Sequence, residues 1–435
     1  MSLSLLPSDW ALWSVVLLGF VLCLYLSKQR QWQMAGQRLL ANPWAIFSLI
    51  IVLTYLGLGL MDSVRMTTRL HPEPLTMLDY VLYQGEDHDE VTYSAPFATQ
   101  AWSQQFIWRS GHVQGVYPSL QHVHPLTTTE WASHLSVDVF SVALIMGIFY
   151  FFSFYIFKRK KTVVLALTGS LFLVGVLVSV SFDLSHYYHV FGTDKVGHDV
   201  FYAALKSIRT GLVIGLVTSI IMLPFAVILG MVAGYIGGWW DDLIQYVYTT
   251  LSSIPGVLLI AASILVLQIY LEGHLGDAVS VVVRADWRLL VLCGVLGVTG
   301  WAGLCRLLRA ESLKLRELDF VKVSRIMGVS RGRILFRHIL PNVLHLIIIT
   351  VVLDFSGLVL AEAVLSYVGV GVDPSTFSFG NMINSSRLEL ARDPVVWWPL
   401  AGALSMMFVL VVSANLFADA MRDALDPRTQ GANYE

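Results

Sequence analysis

The sequence predicts an all-α polytopic membrane protein of about nine transmembrane helices, N-terminus outside and C-terminus inside. Three observations carry that expectation. Of 435 residues, 56% are hydrophobic and only 13% are charged, with a mean hydropathy of +0.68, the balance of a chain whose solvent is mostly lipid. Nine apolar runs, most of them near the ~20 residues that cross a bilayer, are separated by polar stretches. Every Lys/Arg-rich cluster falls on one side when the runs are threaded alternately, as the positive-inside rule requires. A net charge of −2 excludes a nucleic-acid binder on bulk charge. Cys23, Cys293 and Cys305 lie in or beside apolar runs without paired spacing, so buried packing is expected of them, not disulfides or a thiolate metal site.

The first run, 10–26, is followed by Lys28, Arg30 and Arg38 with no acid between them. A secretory signal carries its charge ahead of the apolar stretch, so a retained span is expected, with 28–41 inside. The run 44–60 leads back out. Residues 61–135 then hold eight acids against Arg65, Arg69 and Arg109, and belong outside. Prolines at 72, 74, 96, 118 and 125 argue against long helices there, and short alternating pieces such as 90–93 suggest strands. The run 137–157 ends in Lys158-Arg159-Lys160-Lys161, an inside anchor, and 163–182 goes out again. After a polar, amphipathic segment at 186–208 come runs at 211–235, 243–270, 289–308, 343–364 and 395–417. Arg422 and Arg428 then mark an inside C-terminus.

The loop 306–341 organises the second half. It carries nine Lys/Arg against Glu311, Glu317 and Asp319, the mark of a cytoplasmic loop. Asp319 suits a helix cap, with Phe320, Val323 and Met327 on one face of a short helix. Gly328 suits that helix's end, Ser330 can cap a second helix running to His338, and Pro341 breaks the pattern where the next apolar run begins. The expectation is a helix–Gly–helix knob shaped to fit a cleft on another protein.

This segment resembles the coupling loop of permease subunits of ATP-binding-cassette importers, which reads Glu-Ala-Ala, three residues, Gly, nine residues, Ile-x-Leu-Pro. Gly328 and Leu340-Pro341 hold the family's positions, whereas Lys322-Val323-Ser324 replaces Glu-Ala-Ala and His338 replaces Ile. Further segments follow in the family's order. Gly192-Thr193-Asp194 with Gly197-His198-Asp199 is similar to its Gly-Thr-Asp-x-x-Gly-Arg-Asp signature, with His198 for Arg. Gly234-Tyr235-Ile236-Gly237-Gly238-Trp239-Trp240-Asp241 and Ile254-Pro255 match the turn and span beyond. Ala361-Glu362-Ala363 through Gly371, then Phe379-Gly380-Asn381-Met382 and the closing 422–428, complete the likeness. From about 190 to 428 the chain resembles the C-type permease of dipeptide, oligopeptide and nickel importers.

That resemblance implies a six-helix type I permease core and half of a translocation pathway for peptides, in a multi-pass protein of the bacterial inner (plasma) membrane. It implies a heterodimer with a homologous B-type permease, two cytoplasmic ATPase subunits and an external substrate-binding protein, no cofactor and no nucleic acid. Asp319, Phe320, Val323, Ser324, Met327, Gly328, Val329, Ser330, Leu340 and Pro341 would form the ATPase-coupling loop. The implied division is a two-helix extension at 1–60, an external loop domain at 61–135, two helices at 136–182 and the permease core at 183–435. Either 163–182 is the family's first span with three spans ahead of it, or 44–60 is, with a hairpin inserted.

The chemistry-bearing residues have plainer readings beside them. There is no Gly-x-x-x-x-Gly-Lys-Ser/Thr in the chain, so ATP hydrolysis would belong to a partner. Gly369-Val370-Gly371 reads as a turn. Asp354 and Glu362 lie in an apolar run, where ionisable groups are costly and candidates for a pathway. The plain alternative puts Glu362 at the outer mouth, hydrogen-bonded to nearby backbone. His122-x-His124 with Glu86-Asp87-His88-Asp89 has the residue types of a nickel or zinc site, but unbound surface histidines are the commoner explanation and no metal is expected. A nickel or other small-solute importer of the same family is the nearest alternative. An ion-coupled secondary transporter using Asp183, Asp354 or Glu362 is the next, and it would show inverted repeats that the sequence lacks.

Overall fold

The computed structural model describes residues 2–68, 71–83, 89–109, 112–156, 161–274 and 280–425. Among them, eight helices are long and apolar enough to cross a membrane, and one bent pair makes a ninth candidate. The anchor at 158–160, Glu86-Asp87-His88 and the closing 426–428 lie outside the described residues. The chain divides into two compact units. One holds Met1–Leu5, Gln29–Gly211 and Thr376–Ala420; the other holds Leu6–Lys28, Leu212–Ser375 and Met421–Glu435.

The first unit contains α2 (Arg30–Ala41), α3 (Pro43–Ser63), α4 (Met77–Tyr83), α5 (Thr128–Ile156), α6 (Lys161–Ser185) and α15 (Phe379–Ser386), with the start of α7 (Val200–Ile236) and most of α16 (Trp398–Leu425). Helices α3 and α6 meet around Ile46, Ile50 and Val163, α5 packs along α6, and the Tyr55 hydroxyl donates to the Met406 carbonyl of α16 at 2.9 Å. The described residues of the polar loop are structured. Strands β1 (Ser2–Ser4), β2 (Arg65–Thr68) and β3 (His71–Thr76) form an antiparallel sheet, and β4 (Gln105–Arg109) pairs with β5 (His112–Val116) as a hairpin.

The strand expected at 90–93 is absent; that stretch is a bend. Its backbone bonds go to 192–197 and to Trp102, whose N–H donates to the Tyr93 carbonyl at 2.9 Å, not to a sheet. Glu90 N–H donates to the Gly197 carbonyl at 3.0 Å and Thr193 N–H to the Ser94 carbonyl at 3.1 Å. Two glycines admit this contact. Gly192 and Gly197 have φ of +70° and +96°, and a Cβ there would sit 2.3 Å from Ser94 O and 1.7 Å from Glu90 O. Helix α7 also starts at Val200, ahead of the expected 211, because Asp199 caps it: Oδ1 accepts from Phe201 N–H at 2.7 Å and Tyr202 N–H at 3.2 Å.

The second unit contains α1 (Pro7–Leu26), the rest of α7, α8 (Trp239–Ser253), α9 (Gly256–His274), α10 (Val281–Gly300), α11 (Ala302–Arg316), α12 (Asp319–Ile326), α13 (Arg331–Ile334) and α14 (Leu340–Tyr367). Helix α1 is fastened to α10 by Ser8, whose N–H donates to Asp286 Oδ2 at 2.9 Å and whose hydroxyl donates to Oδ1. The main core joins α7, α8, α11 and the 321–347 stretch around Met231, Tyr235, Ile244, Leu308, Val321 and Ile334.

Two expected boundaries move. The run 243–270 is not one helix, because α8 and α9 meet at 89°. Ile254 is extended (φ −87°, ψ 132°), as a residue before proline prefers to be. Pro341, by contrast, breaks nothing: the helix runs from Arg331 to Tyr367. A π segment at Leu335–Ile339 leads into Pro341 at the start of α14. Its wider turn relieves the clash of a proline ring with the carbonyl four residues back, and Asn342 Nδ2 donates to the His338 carbonyl at 2.6 Å.

Helices α7 and α11 touch through Gly230 and Gly234. A Cβ on Gly234 would meet Arg309 O at 2.5 Å and Ser312 Cβ at 2.6 Å. Gly234→Ala is therefore expected to destabilise the protein by about 1–3 kcal/mol, read as a lower thermal midpoint in detergent. Gly303→Ala on α11, where a Cβ meets nothing within 4 Å, should leave the midpoint unchanged or raise it.

Candidate functional site

The knob at 317–341 is built from two turns and a buried base. Leu318, extended at φ −75° and ψ 145°, opens α12. Asp319 is thus the first helical residue, not the cap, and its charge still favours the helix N-terminus. The helix closes in the Schellman arrangement: Gly328 N–H donates to Arg325 O and Val329 N–H to Ser324 O, both at 3.1 Å. Gly328 holds φ +76° with open space where a Cβ would go, so backbone conformation, not crowding, selects glycine. Ser330 caps α13 by backbone geometry, without a side-chain bond.

Val321, Ile334 and Ile339 face inward and are almost fully buried, with Val329 and Leu340 packed beside them. Phe320, Val323 and Met327, which the sequence placed on one face, point away from this base, and Ile326 joins them. Phe320, Val323, Ile326 and Met327 are 43%, 52%, 85% and 77% exposed. Ser324 spends its hydroxyl on the Phe320 carbonyl at 2.7 Å. Around this apolar face Lys322, Arg325, Arg331 and Arg333 are exposed. Lys322 stands where the resemblance puts Glu, and its ammonium lies 3.2 Å from Glu317. That hydrogen bond, with Arg316 beside it, holds the Glu317 carboxyl below the usual range.

The base is fixed to the rest of its unit by the Gly-Tyr-x-Gly-Gly-x-x-Asp stretch. Gly234 of α7 packs against α11, Gly237 and Gly238 turn the chain at φ +68° and +62°, and Asp241 meets Arg309 through two bonds of 2.5 and 2.7 Å. This fork-to-carboxylate pair ties α8 to α11 beneath the knob. Sequence reasoning matched the motif but did not find Arg309, whose partner stands 68 residues away.

At the far end of α14 the same turn recurs. Val370 N–H donates to Leu365 O at 2.9 Å and Gly369 N–H to Ser366 O at 3.0 Å, with Gly369 at φ +86°. Glu362 is buried and accepts from the Ser366 hydroxyl at 2.7 Å, and Ser366 Oγ accepts from Val372 N–H at 3.4 Å. A Cβ on Gly371 would lie 2.0 Å from Ser366 Oγ. Arg288 then holds Asp373 at 2.6 Å. Burial would raise the Asp373 carboxyl, but the Ser375 N–H and hydroxyl and the Arg288 charge hold it below its usual range. Asp354 is half-buried two turns earlier, and among the described residues no hydrogen bond or ion pair reaches its carboxyl.

In the other unit, Thr193 is buried, donating to Thr92 O at 2.9 Å and accepting from Ser94 N–H at 2.6 Å. Asp194 Oδ1 accepts from Val196 and His198 N–H. His198, in place of the family's Arg, meets Asp89 at 2.7 Å. Asn381 takes the Ser378 cap through its N–H and donates its side chain to Thr376 O. His122 faces Glu90 at 3.6 Å, and among the described residues no group of three His, Cys, Asp or Glu is arranged to hold a metal.

Residues 226–431 match the family model for the binding-protein-dependent transport system inner membrane component. The oligopeptide transport system permease protein OppC of Mycobacterium tuberculosis is 30% identical over 242 residues, 56% of this chain and 77% of that protein. A putative peptide permease protein of Brucella suis is 32% identical over 245 residues, 56% of this chain and 74% of its own. The dipeptide transport system permease protein DppC of Lactococcus lactis is 31% identical over 240 residues, 55% and 64% respectively.

Proposed function

The chain belongs to the family of binding-protein-dependent inner-membrane transport components, and we propose that it is the C-type half of an ATP-driven peptide importer. Its place in this family makes it a multi-pass permease component of the bacterial inner membrane. The finer reading adds a homologous B-type permease as the other half of the pathway, two cytoplasmic ATPase subunits that hydrolyse ATP in its place, and an external substrate-binding protein. The observation that carries it is the knob. An exposed apolar face of Phe320, Val323, Ile326 and Met327 stands on a glycine-fixed turn over a fully packed base.

Coupling follows from rigidity. ATP binding closes the ATPase pair and displaces α12; the base moves with it, and the continuous helix Arg331–Tyr367 carries the displacement across the membrane. At 1.5 Å per residue that helix is about 55 Å long. Packed helices shift between discrete arrangements, so the motion alternates the accessible side. Peptide is favoured as substrate by the names that the relatives carry. In the domain division, the core spans 183–435 with the coupling loop at 306–341, preceded by the extension 1–60, the external loop 61–135 and the helices of 136–182. The bond from Tyr55 to Met406 and the packing of α5 along α6 favour 44–60 as the family's first span, with α5–α6 an inserted hairpin.

Gly328→Val tests the knob. A β-branched residue held at positive φ strains the turn by roughly 1–2 kcal/mol, while open space at the site spares the packing. Membrane insertion and pairing with the partner permease should persist while ATPase co-purification and peptide uptake fall. A variant that binds its ATPase and transports at the wild-type rate removes the knob from the mechanism. Sidedness is tested separately, by impermeant thiol labelling in intact cells. Gln114→Cys in the polar loop should react and Lys322→Cys should not; the reverse pattern would overturn the topology.

A further inference from the structure

The stretches 89–94 and 121–124 meet the head of α7 through one buried histidine. The His189 side chain is 5% exposed, and its Nδ1 lies 2.8 Å from Asp199 Oδ2, while Asp199 Oδ1 caps α7. Its Nε2 faces Glu90 Oε1 at 3.6 Å. The Glu90 oxygens in turn accept backbone N–H groups of Gln121 at 3.1 Å and His122 at 2.9 Å. Helix head, imidazole, carboxylate and loop backbone thus form one chain of contacts. We propose that His189 is a pH-sensitive clasp that holds the loop on the head of α7 while its imidazole is protonated and releases it when the proton is lost.

The reason is donor arithmetic. An imidazolium donates from both nitrogens; a neutral ring donates from one and turns a lone pair on whatever faces the other. Here carboxylates lie on both sides, so deprotonation sets a buried lone pair against a carboxylate and leaves the two acids without a cation between them. The groups facing His189 are Asp199 from α7, Glu90 from the 89–95 stretch and, beyond Glu90, His122 from the 121–124 stretch at 3.6 Å from the same oxygen. Asp89 and His198 pair with each other alongside. Burial works against the charged ring, but the Asp199 hydrogen bond and the Asp199 and Glu90 charges outweigh it, raising the His189 pKa above 6.5. A raised value contributes stability that is complete below 6.5 and fades as pH climbs through the folded value. That this pH is the external one rests on the sidedness proposed above; the clasp itself does not.

Hydrogen–deuterium exchange on the full chain in lipid nanodiscs, from pH 5.5 to 9 and corrected for intrinsic exchange, tests it. The amides of Glu90, Ser94, Gln121, His122 and Thr193 should be protected at low pH and lose that protection as pH climbs through a midpoint above 6.5. His189→Gln should abolish the pH dependence. Glu90→Gln should move the midpoint down, and His198→Asn should leave it in place. A flat wild-type profile, or a His189→Gln profile that follows the wild type, overturns the clasp. If His189→Gln fails to fold, an unmoved midpoint in Glu90→Gln does so instead. Thiol labelling reports on sidedness independently of either result.

Discussion

The close crossing of α7 and α11 is the contact on which the second unit depends. Gly230 and Gly234 let the two backbones approach until Cys305 O and Arg309 O stand where side chains would otherwise be. In lipid, helix association draws on packing and interhelical polar contacts more than on water's exclusion, so small residues at the seam matter more than large ones. Once that seam is closed, Asp241 can reach Arg309, the Gly237-Gly238 turn can aim α8, and Val321 and Ile334 find a floor of Met231, Tyr235 and Leu308. The knob is exposed because everything beneath it is already filled.

The first unit is held by polar fasteners instead. Lys206 Nζ lies 2.8 Å from Asp79 and 3.9 Å from Asp62, and the Tyr202 hydroxyl donates to Asp79 at 2.9 Å. The network joins α3, α4 and α7. Burying ions costs several kcal/mol each, and the attraction repays that only where geometry is good and spare donors are used. Here Asp79 also accepts Thr76 N–H at 2.9 Å. Burial alone would raise its carboxyl, but the Lys206 charge and these donors hold it below the ordinary range. Together with Gly192 and Gly197 against the 90–94 backbone, the network makes the polar loop part of its unit, not a tethered appendage.

The fold class was legible because lipid imposes a simple rule: satisfy the backbone inside a helix and keep the side chains apolar. Runs such as 44–60 and 163–182 announce themselves. What escaped depended on contacts distant in sequence. Nothing local to 90–93 says that its backbone will bond to 193–197 in place of a strand. Val321 could not be told from Phe320 or Val323 by periodicity, because all three share the broad apolar side of a short helix, opposite Lys322 and Arg325, and the pattern does not say which part of that side turns inward. The break at Ile254-Pro255 was written in the proline, whereas Pro341 carries the same letter and breaks nothing, since the π turn before it takes up the strain. A proline signals a conflict at its position, not how neighbouring turns resolve it. The departure at 322–324 was visible in the sequence, but the partner was not: Lys322, standing where the likeness has an acid, pairs with Glu317.

Helix Arg331–Tyr367 is bounded by two turns of one design. Gly328 precedes it at φ +76° and Gly369 follows it at φ +86°, and each closes a helix with the same pair of backbone bonds. Between them the helix has one irregularity, the π segment at Leu335–Ile339, whose Leu335 and Ile339 belong to the packed base. A rod with defined ends and a wider turn near one of them is stiff along its length and compliant close to the knob. Glu362, buried and bonded to Ser366, stiffens the other end by tying the last turn of the helix to the 369–372 loop. The carboxylate is thereby part of the hydrogen-bonded end of the helix. Asp354 lies between the compliant end and the pinned one, half-buried, and among the described residues no hydrogen bond or ion pair holds its carboxyl, so this stretch of the rod carries no polar fastener of its own.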